Sequence, residues 1–245
     1  MERDLQGKIA WITGGGSGVG QAVARTLAQA GAHVYVSGRR LEPLAATVAQ
    51  IEAQGGQASA IVVDVAQPDP PRAAVTQIME NHNRLDIYVG AAGYNINRRQ
   101  FSNLTAQEAG AIIATNLGGA FNASSAVLVA MRTAGDGLLV HIGSWSGRRV
   151  RTFSGPAYTA AKAGLLAMSE SLNLEVALEG IRSTVIIPGG IDTPLLDNLP
   201  MPPPPEQRAR LLRPDDCAQA VLWVARLPAR VRIDEITITP TIQNV

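Results

Sequence analysis

The chain carries one cysteine, Cys217, and two lysines, Lys8 and Lys162, in 245 residues. A single thiol excludes an internal disulfide framework and any cysteine-rich zinc site, and it suits a reducing compartment. Histidine is almost as scarce: His33, His82 and His141 are scattered without ligand spacing, so no metal is expected. Excess charge is missing too. The net charge is +1, and no basic stripe with interleaved aromatics occurs, so neither nucleic acid nor an anionic membrane is an expected partner. No apolar run approaches the roughly 18 uninterrupted residues of a membrane span. The opening MERDLQGKIAWITGGG mixes charges and reaches glycines after a short apolar run, unlike a signal peptide. The cytoplasm is the expected location.

What is present reads as a globular chain, 46% hydrophobic and 17% charged, long enough to bury a sizeable core. Short apolar runs alternate with longer stretches of three-and-four periodicity. Strands are predicted over 8–13, 33–38, 58–65, 85–93, 137–144, 181–190 and 234–240, and helices over 19–31, 41–56, 71–83, 105–134, 157–179 and 214–227. Such alternation predicts an α/β fold, a seven-stranded parallel sheet covered on both faces. No repeat interrupts it, so residues 1–245 are expected to form a single domain. The irregular stretch IDTPLLDNLPMPPPPEQRARLLR (191–213) follows a strand's carboxyl end and reads as a surface excursion or a substrate lid. Its proline run, 202–205, is expected to be neither helix nor central strand.

The segment TGGGSGVG (13–20) separates the first strand from the first helix. Glycines there permit a tight turn and bring N–H groups and a helix N-terminus close to an anion. A P-loop needs Lys after the last glycine, where Gln21 stands, and G-x-G-x-x-G finds no register. The spacing T-G-x-x-x-G-x-G fits, with Gly14, Gly16, Ser17, Gly18, Val19 and Gly20 as candidate cofactor contacts. The second strand ends Ser37-Gly38-Arg39-Arg40, with no carboxylate before Glu42. An NAD site usually has an acid there, whereas a guanidinium suits a 2′-phosphate. NADP(H) is the expected cofactor, held by Arg39 with Ser37 or Arg40 assisting.

Nineteen of the 21 basic residues are arginine, which makes Lys162 in GPAYTAAKAG conspicuous. Tyr158 and Lys162 are four apart, hence on one helical face. An ammonium beside a phenol favours the phenolate and lowers a pKa that starts near 10. The pair could then exchange a proton with an alcohol oxygen. Fourteen residues upstream, HIGSWSG (141–147) places Ser144 at a strand's end, with Ser146 as the alternative serine. Asn116, a mediocre helix former, lies inside a long helix.

In this order the motifs resemble those of the short-chain dehydrogenase/reductase (SDR) family, over about residues 5–240: T-G-x-x-x-G-x-G, Asp64-Val65, Asn116, Ser144, Tyr158-x-x-x-Lys162 and Pro188-Gly189-x-x-x-Thr193. The resemblance implies a doubly wound, Rossmann-type three-layer sandwich. It implies Tyr158 as general acid/base, Lys162 as its tuning cation and ribose ligand, Ser144 on the substrate oxygen, and Asn116 steadying a water beside Lys162. Asp64 and Val65 would flank the adenine, Ile191 and Thr193 the nicotinamide amide. Gly90-Ala91-Ala92-Gly93 departs from the family's N-N-A-G, but Ala91, Ala92 and Gly93 keep the small residues that let a cofactor lie close. His141 replaces a common Asn, the Ser-to-Tyr spacing is one residue long, and DEITITPTIQNV stands where a glycine-rich segment is usual.

Tyr94, Asn95, Trp145, Phe153 and Leu195 are candidates for the substrate wall. Arg148, Arg149 and Arg151 read first as a solvated loop, with an anionic substrate or a partner subunit as alternatives. Trp11 and Trp223 read as packing, Cys217 as structural. The expected activity is NADP(H)-dependent interconversion of a carbonyl and a secondary alcohol. Alternatives are reduction of a C=N bond or a 3-oxoacyl thioester, or a non-catalytic NADP(H) sensor. Helix 157–179 is apolar on more than one face, and with the resemblance it implies a homo-oligomer, a homotetramer.

Overall fold

The computed structural model describes residues 4–242. Its sheet contains β1 (Ile9–Thr13), β2 (His33–Gly38), β3 (Gln57–Val62), β4 (Ile87–Gly90), β5 (Gly137–Ile142), β6 (Ile181–Pro188) and β7 (Glu235–Ile238). All pairings are parallel, in the order β3-β2-β1-β4-β5-β6-β7. The central strands are apolar on both faces because helices cover both. Alternate residues then serve different cores. Ala10, Ile12, Val34, Val36, Val89 and Val140 join α1 (Gly18–Gln29), α2 (Leu41–Glu52) and α9 (Pro214–Arg226). Trp11, Tyr35, Tyr88 and Leu139 join α3 (Asp69–His82), α5 (Gly119–Ala134) and α7 (Pro156–Val176) on the other face.

The chain winds outward from β1 to β3, then returns to β4 on the other side of β1. Direction reverses between β1 and β4, and a crevice opens there beyond the strands' carboxyl ends. At the opposite end of these strands the second lysine has a structural task. Lys8 Nζ lies 2.9 Å from Asp86 Oδ1, and Asp86 also accepts from Ile9 N and Arg84 Nε at 2.9 Å, which ties the start of β1 to the entry of β4.

The expected long helix over 105–134 is three pieces: α4 (Ala106–Ile113), a π turn (Ala114–Gly118) and α5. Thr105 and Glu108 form a reciprocal cap at its start. An 18-residue window of this run has mean hydropathy 1.4, enough by length and composition to cross a membrane. Here α5 presents Ala123, Val127 and Met131 to the second core, which accounts for much of that apolarity.

Elsewhere the differences are local. The loop between β5 and α7 folds into a short helix, α6 (Trp145–Arg148), and a 3-10 turn (Thr152–Ser154). The proline run was expected to exclude helix, yet Pro205 opens α8 (Pro205–Arg208), since the first helical position needs no N–H. Trp223, read as packing, is 52% exposed. Cys217, Ala218, Val221, Leu222 and Val224 take the inward face of α9, which leaves position 223 outward. Trp11 and Cys217 are buried as expected, and burial first, then Asp216, pushes the thiol up to about 12.

Candidate active site

The glycine turn leaves β1 at Gly14, whose φ of +72° suits glycine alone. A Cβ there would lie 2.7 Å from the Ala91 backbone, and one on Gly20 would lie 2.3 Å from the Gly14 carbonyl oxygen. Bare backbone therefore lets the turn, the start of α1 and the end of β4 converge. Ser17 precedes the first turn of α1, whose N–H groups have no intrahelical acceptor. Gly14, Ser17, Gly18, Val19, Gly20, Ala91, Gly93, Pro188, Gly189, Ile191 and Thr193 line one cleft of about 340 Å³ together with Asn116, Ser144, Tyr158 and Lys162.

The other candidate cofactor residues lie outside that lining. Gly16 packs toward Pro43, where a Cβ would come within 2.9 Å. Ala92 packs on the second core. Asp64 accepts from Ala66 N at 3.0 Å, and Val65 is buried with its carbonyl accepting from Asn122 Nδ2 at 2.9 Å. Arg39 and Arg40 are exposed, with no ion pair among the described residues. Ser37 corrects the expectation for an assisting hydroxyl. It is fully buried and accepts from Trp11 Nε1 at 3.0 Å, because its side chain points into the sheet rather than past its end.

Asn116 sits in the π turn, 1% exposed. Its amide donates to Tyr94 O at 2.8 Å and Ile112 O at 2.9 Å, while its Oδ1 has no partner. A Cβ on Gly93 would lie 2.6 Å from that oxygen and 3.7 Å from Lys162 Nζ, so a side chain at 93 would crowd both. Lys162 is 6% exposed and donates to Ile142 O at 2.8 Å. Two ammonium donors remain. Ser144 caps α6, accepting from Ser146 N at 3.2 Å, and hydrogen-bonds the Tyr158 phenol. Ser146 is buried with its hydroxyl 2.6 Å from that of Ser154, so the geometry favours Ser144 as the available serine.

Burial raises the Tyr158 pKa above its usual value, and the Ser144 hydrogen bond and the Arg99 charge oppose it. The sequence expectation gave that second role to Lys162. In the fold Lys162 Nζ is 5.8 Å from the phenol ring centroid and engaged with Ile142, while burial lowers its own pKa to about 8. Arg99, which sequence reasoning missed, contributes a charge that favours the phenolate. It donates to the carbonyls of Ile96, Phe153 and Asn198 and so joins three loops.

A family model for short chain dehydrogenases matches residues 8–202. The chain belongs to the short-chain dehydrogenase family. An uncharacterized oxidoreductase of Staphylococcus saprophyticus is 32% identical over 240 residues, covering 97% of this chain and 99% of that protein. A metagenomic short-chain oxidoreductase solved in complex with NADP is 29% identical, with TM-score 0.84 over 98% of this chain and 99% of that one. A single-substitution variant of actinorhodin polyketide ketoreductase, solved with NADPH, is 26% identical, with TM-score 0.87 over 95% and 96%.

Among the substrate-wall candidates of this short-chain dehydrogenase, Asn95, Trp145, Phe153 and Leu195 line the cleft. Asn95 is engaged with backbone, donating to Ser154 O at 2.8 Å and accepting from Ile96 N at 2.9 Å. Tyr94 lies outside the lining and corrects the expectation. It carries the Arg39 guanidinium 5.9 Å above its ring, which places it on the side of β2. Of the loop arginines, Arg148 pairs with Glu235 and Arg151 lines the cleft.

The histidine that replaces the common Asn, His141, is fully buried in β5 and neither ring nitrogen has a partner. Burial first, then the Lys162 charge, depresses its pKa to about 4. The unfolded chain takes up this proton near 6.5. Between those values the unfolded state binds more protons, so stability falls as pH drops from about 6.5 to about 4. The expected loss is on the order of 3 kcal/mol. His141→Leu removes both orphaned nitrogens and should flatten this part of the profile, measured by urea unfolding at neutral and acid pH.

Proposed function

We propose that this short-chain dehydrogenase reduces a carbonyl to a secondary alcohol with NADPH, Tyr158 delivering the proton to the substrate oxygen. The observation that carries the reading is the convergence of Ser144, Tyr158, Lys162 and Asn116 on one cleft with the glycine turn. The residues present fit a phosphorylated dinucleotide. The turn has no room for side chains at Gly14 and Gly20, the start of α1 faces the cleft, and two exposed arginines end β2 where an acid would repel a 2′-phosphate. Gly14, Ser17 to Gly20, Ala91, Gly93, Pro188, Gly189, Ile191 and Thr193 would hold the cofactor, with Arg39 and Arg40 on its phosphate. When bound, NADPH supplies the hydride. NADP and NADPH in the complexes of the two solved relatives support the same choice.

The protein's own part is orientation and proton supply. Ser144 and Tyr158 present hydroxyls to one substrate oxygen, which fixes the carbonyl and stabilises charge that develops on it. The phenol holds its proton at neutral pH because burial raises its pKa, so it is ready as an acid. Reduction needs the protonated phenol and oxidation the phenolate, so the rate of oxidation should gain with rising pH. Lys162, 5.8 Å from the phenol ring centroid, and the open Asn116 oxygen both border Gly93, and they would offer a route for the phenol's proton to be replaced. Residues 191–213 act as the lid in this reading: Pro194, Leu195, Leu196 and Leu199 of the segment line the cleft, Arg99 donates to Asn198 O, and Arg208 braces the segment internally through Asp192 at 2.7 Å and Asp197 at 2.6 Å. A panel of ketones, imines and 3-oxoacyl thioesters, with products identified by mass spectrometry, tests the reading. Secondary alcohols should form from ketones, and amines alone would overturn it.

The protein also works as a homotetramer in this reading. Phe121 and Val129 of α5 and Leu174 of α7 are 61%, 69% and 79% exposed, and Leu178 projects fully from the turn beyond α7. Apolar side chains this exposed on neighbouring elements mark a covered surface. Light scattering should give four times the chain mass; a monomer would refute it.

A further inference from the structure

The cleft is charged with one sign. Arg99, Arg151 and Lys162 line it, and among the described residues none of its lining is Asp or Glu. Arg99 is 3% exposed and meets only neutral acceptors, the carbonyls of Ile96, Phe153 and Asn198. A buried guanidinium without a counter-charge is costly. Burial accordingly lowers its pKa, with only Tyr158 acting against that. A guanidinium has five N–H groups. One on each of Nε, Nη1 and Nη2 is engaged, which leaves one on each terminal nitrogen. Such a pair matches two oxygens of a carboxylate or phosphate. Arg151, on the same lining, has no ion pair among the described residues. Leu195, Leu196, Leu199 and Phe153 complete the wall, and their low polarity strengthens any ion pair formed beside them.

We propose that the substrate carries an oxyanionic group, carboxylate or phosphate, received by Arg99 and Arg151 beside the reacting carbonyl; this rests on the carbonyl-reductase reading above. Arg99, Arg151 and Tyr158 line the same cleft of about 340 Å³, which suits a small substrate with its anion close to the carbonyl. Short 2-oxo and 3-oxo acids and small phosphorylated ketones meet that requirement. The same guanidinium donates to Asn198 O, so the anion would sit beside the 191–213 segment.

The test compares matched pairs with NADPH: pyruvate, acetoacetate and phenylpyruvate against their methyl esters, and dihydroxyacetone phosphate against dihydroxyacetone. The two arms separate carboxylate from phosphate. In wild type, kcat/KM for the preferred anion should exceed that of its neutral counterpart about ten- to hundred-fold, the worth of a charge-assisted hydrogen bond. Arg151→Gln and Arg99→Gln should collapse that ratio, and Arg99→Lys should restore part of it. A merely structural Arg99 would lower both rates and leave the ratio unchanged. Equal or better use of the neutral compounds by wild type overturns the proposal, as does a ratio unmoved in Arg151→Gln and Arg99→Gln. If Arg99→Gln does not fold, Arg151→Gln decides. If wild type reduces neither member of any pair, the carbonyl reading fails on its own. Thermal shifts of the NADPH-loaded protein with propionate, inorganic phosphate and propionamide then decide the anion site. A shift with an anion alone, lost in Arg151→Gln, supports it, and no shift overturns it.

Discussion

Tyr158→Phe should lower kcat by about two to four orders of magnitude, the usual contribution of a positioned general acid, while NADPH binds with nearly unchanged affinity. The substitution removes one oxygen and keeps the ring that packs at the start of α7. That oxygen hydrogen-bonds Ser144, and in the proposed reaction it is the group that protonates a substrate alkoxide. The glycine turn and the two arginines at the end of β2 are untouched, so binding measured by NADPH fluorescence should persist. Retained binding with lost turnover distinguishes an acid from a structural tyrosine. Wild-type turnover in the variant would remove Tyr158 from the chemistry and with it the reading of the site.

Arg39→Asp should reverse the cofactor preference, lowering the ratio of kcat/KM for NADPH over NADH by about 100-fold. Charge-assisted hydrogen bonds contribute about 1.5–3 kcal/mol, and an aspartate at the same place adds repulsion toward a 2′-phosphate while offering an acceptor to free ribose hydroxyls. Arg39 is exposed and stacks on Tyr94, so the fold should tolerate the change. An unchanged ratio would assign the phosphate to another cation, with Arg40 the next to substitute.

The elements that place the site are legible in the sequence because their signals are local. The apolar runs of β1, β4 and β5, the glycines between Thr13 and Gly20 and the four-residue step from Tyr158 to Lys162 each report on a few neighbouring residues. What escapes a sequence reading depends on residues far apart in the chain. Arg99 looks like one more surface arginine until its guanidinium reaches Phe153 and Asn198. Ser37 looks available until Trp11, across the β1–β2 pair, takes its hydroxyl. The π turn at Asn116 leaves no composition mark, since it changes hydrogen-bond partners rather than periodicity. Trp223 reads as packing because of its size and apolarity, whereas its angular position on α9 decides its exposure.

Hydride transfer tests the central claim most directly. NADPH carrying deuterium at the transferable position is incubated with wild-type protein and the oxo acids and ketones above, and the product is analysed by mass spectrometry. The expected product is a secondary alcohol with the label on its carbinol carbon, formed by wild type and by orders of magnitude less in Tyr158→Phe. Tight binding of NADPH with no label reaching any carbonyl carbon would contradict it, and would leave a cofactor-binding protein that performs no reduction.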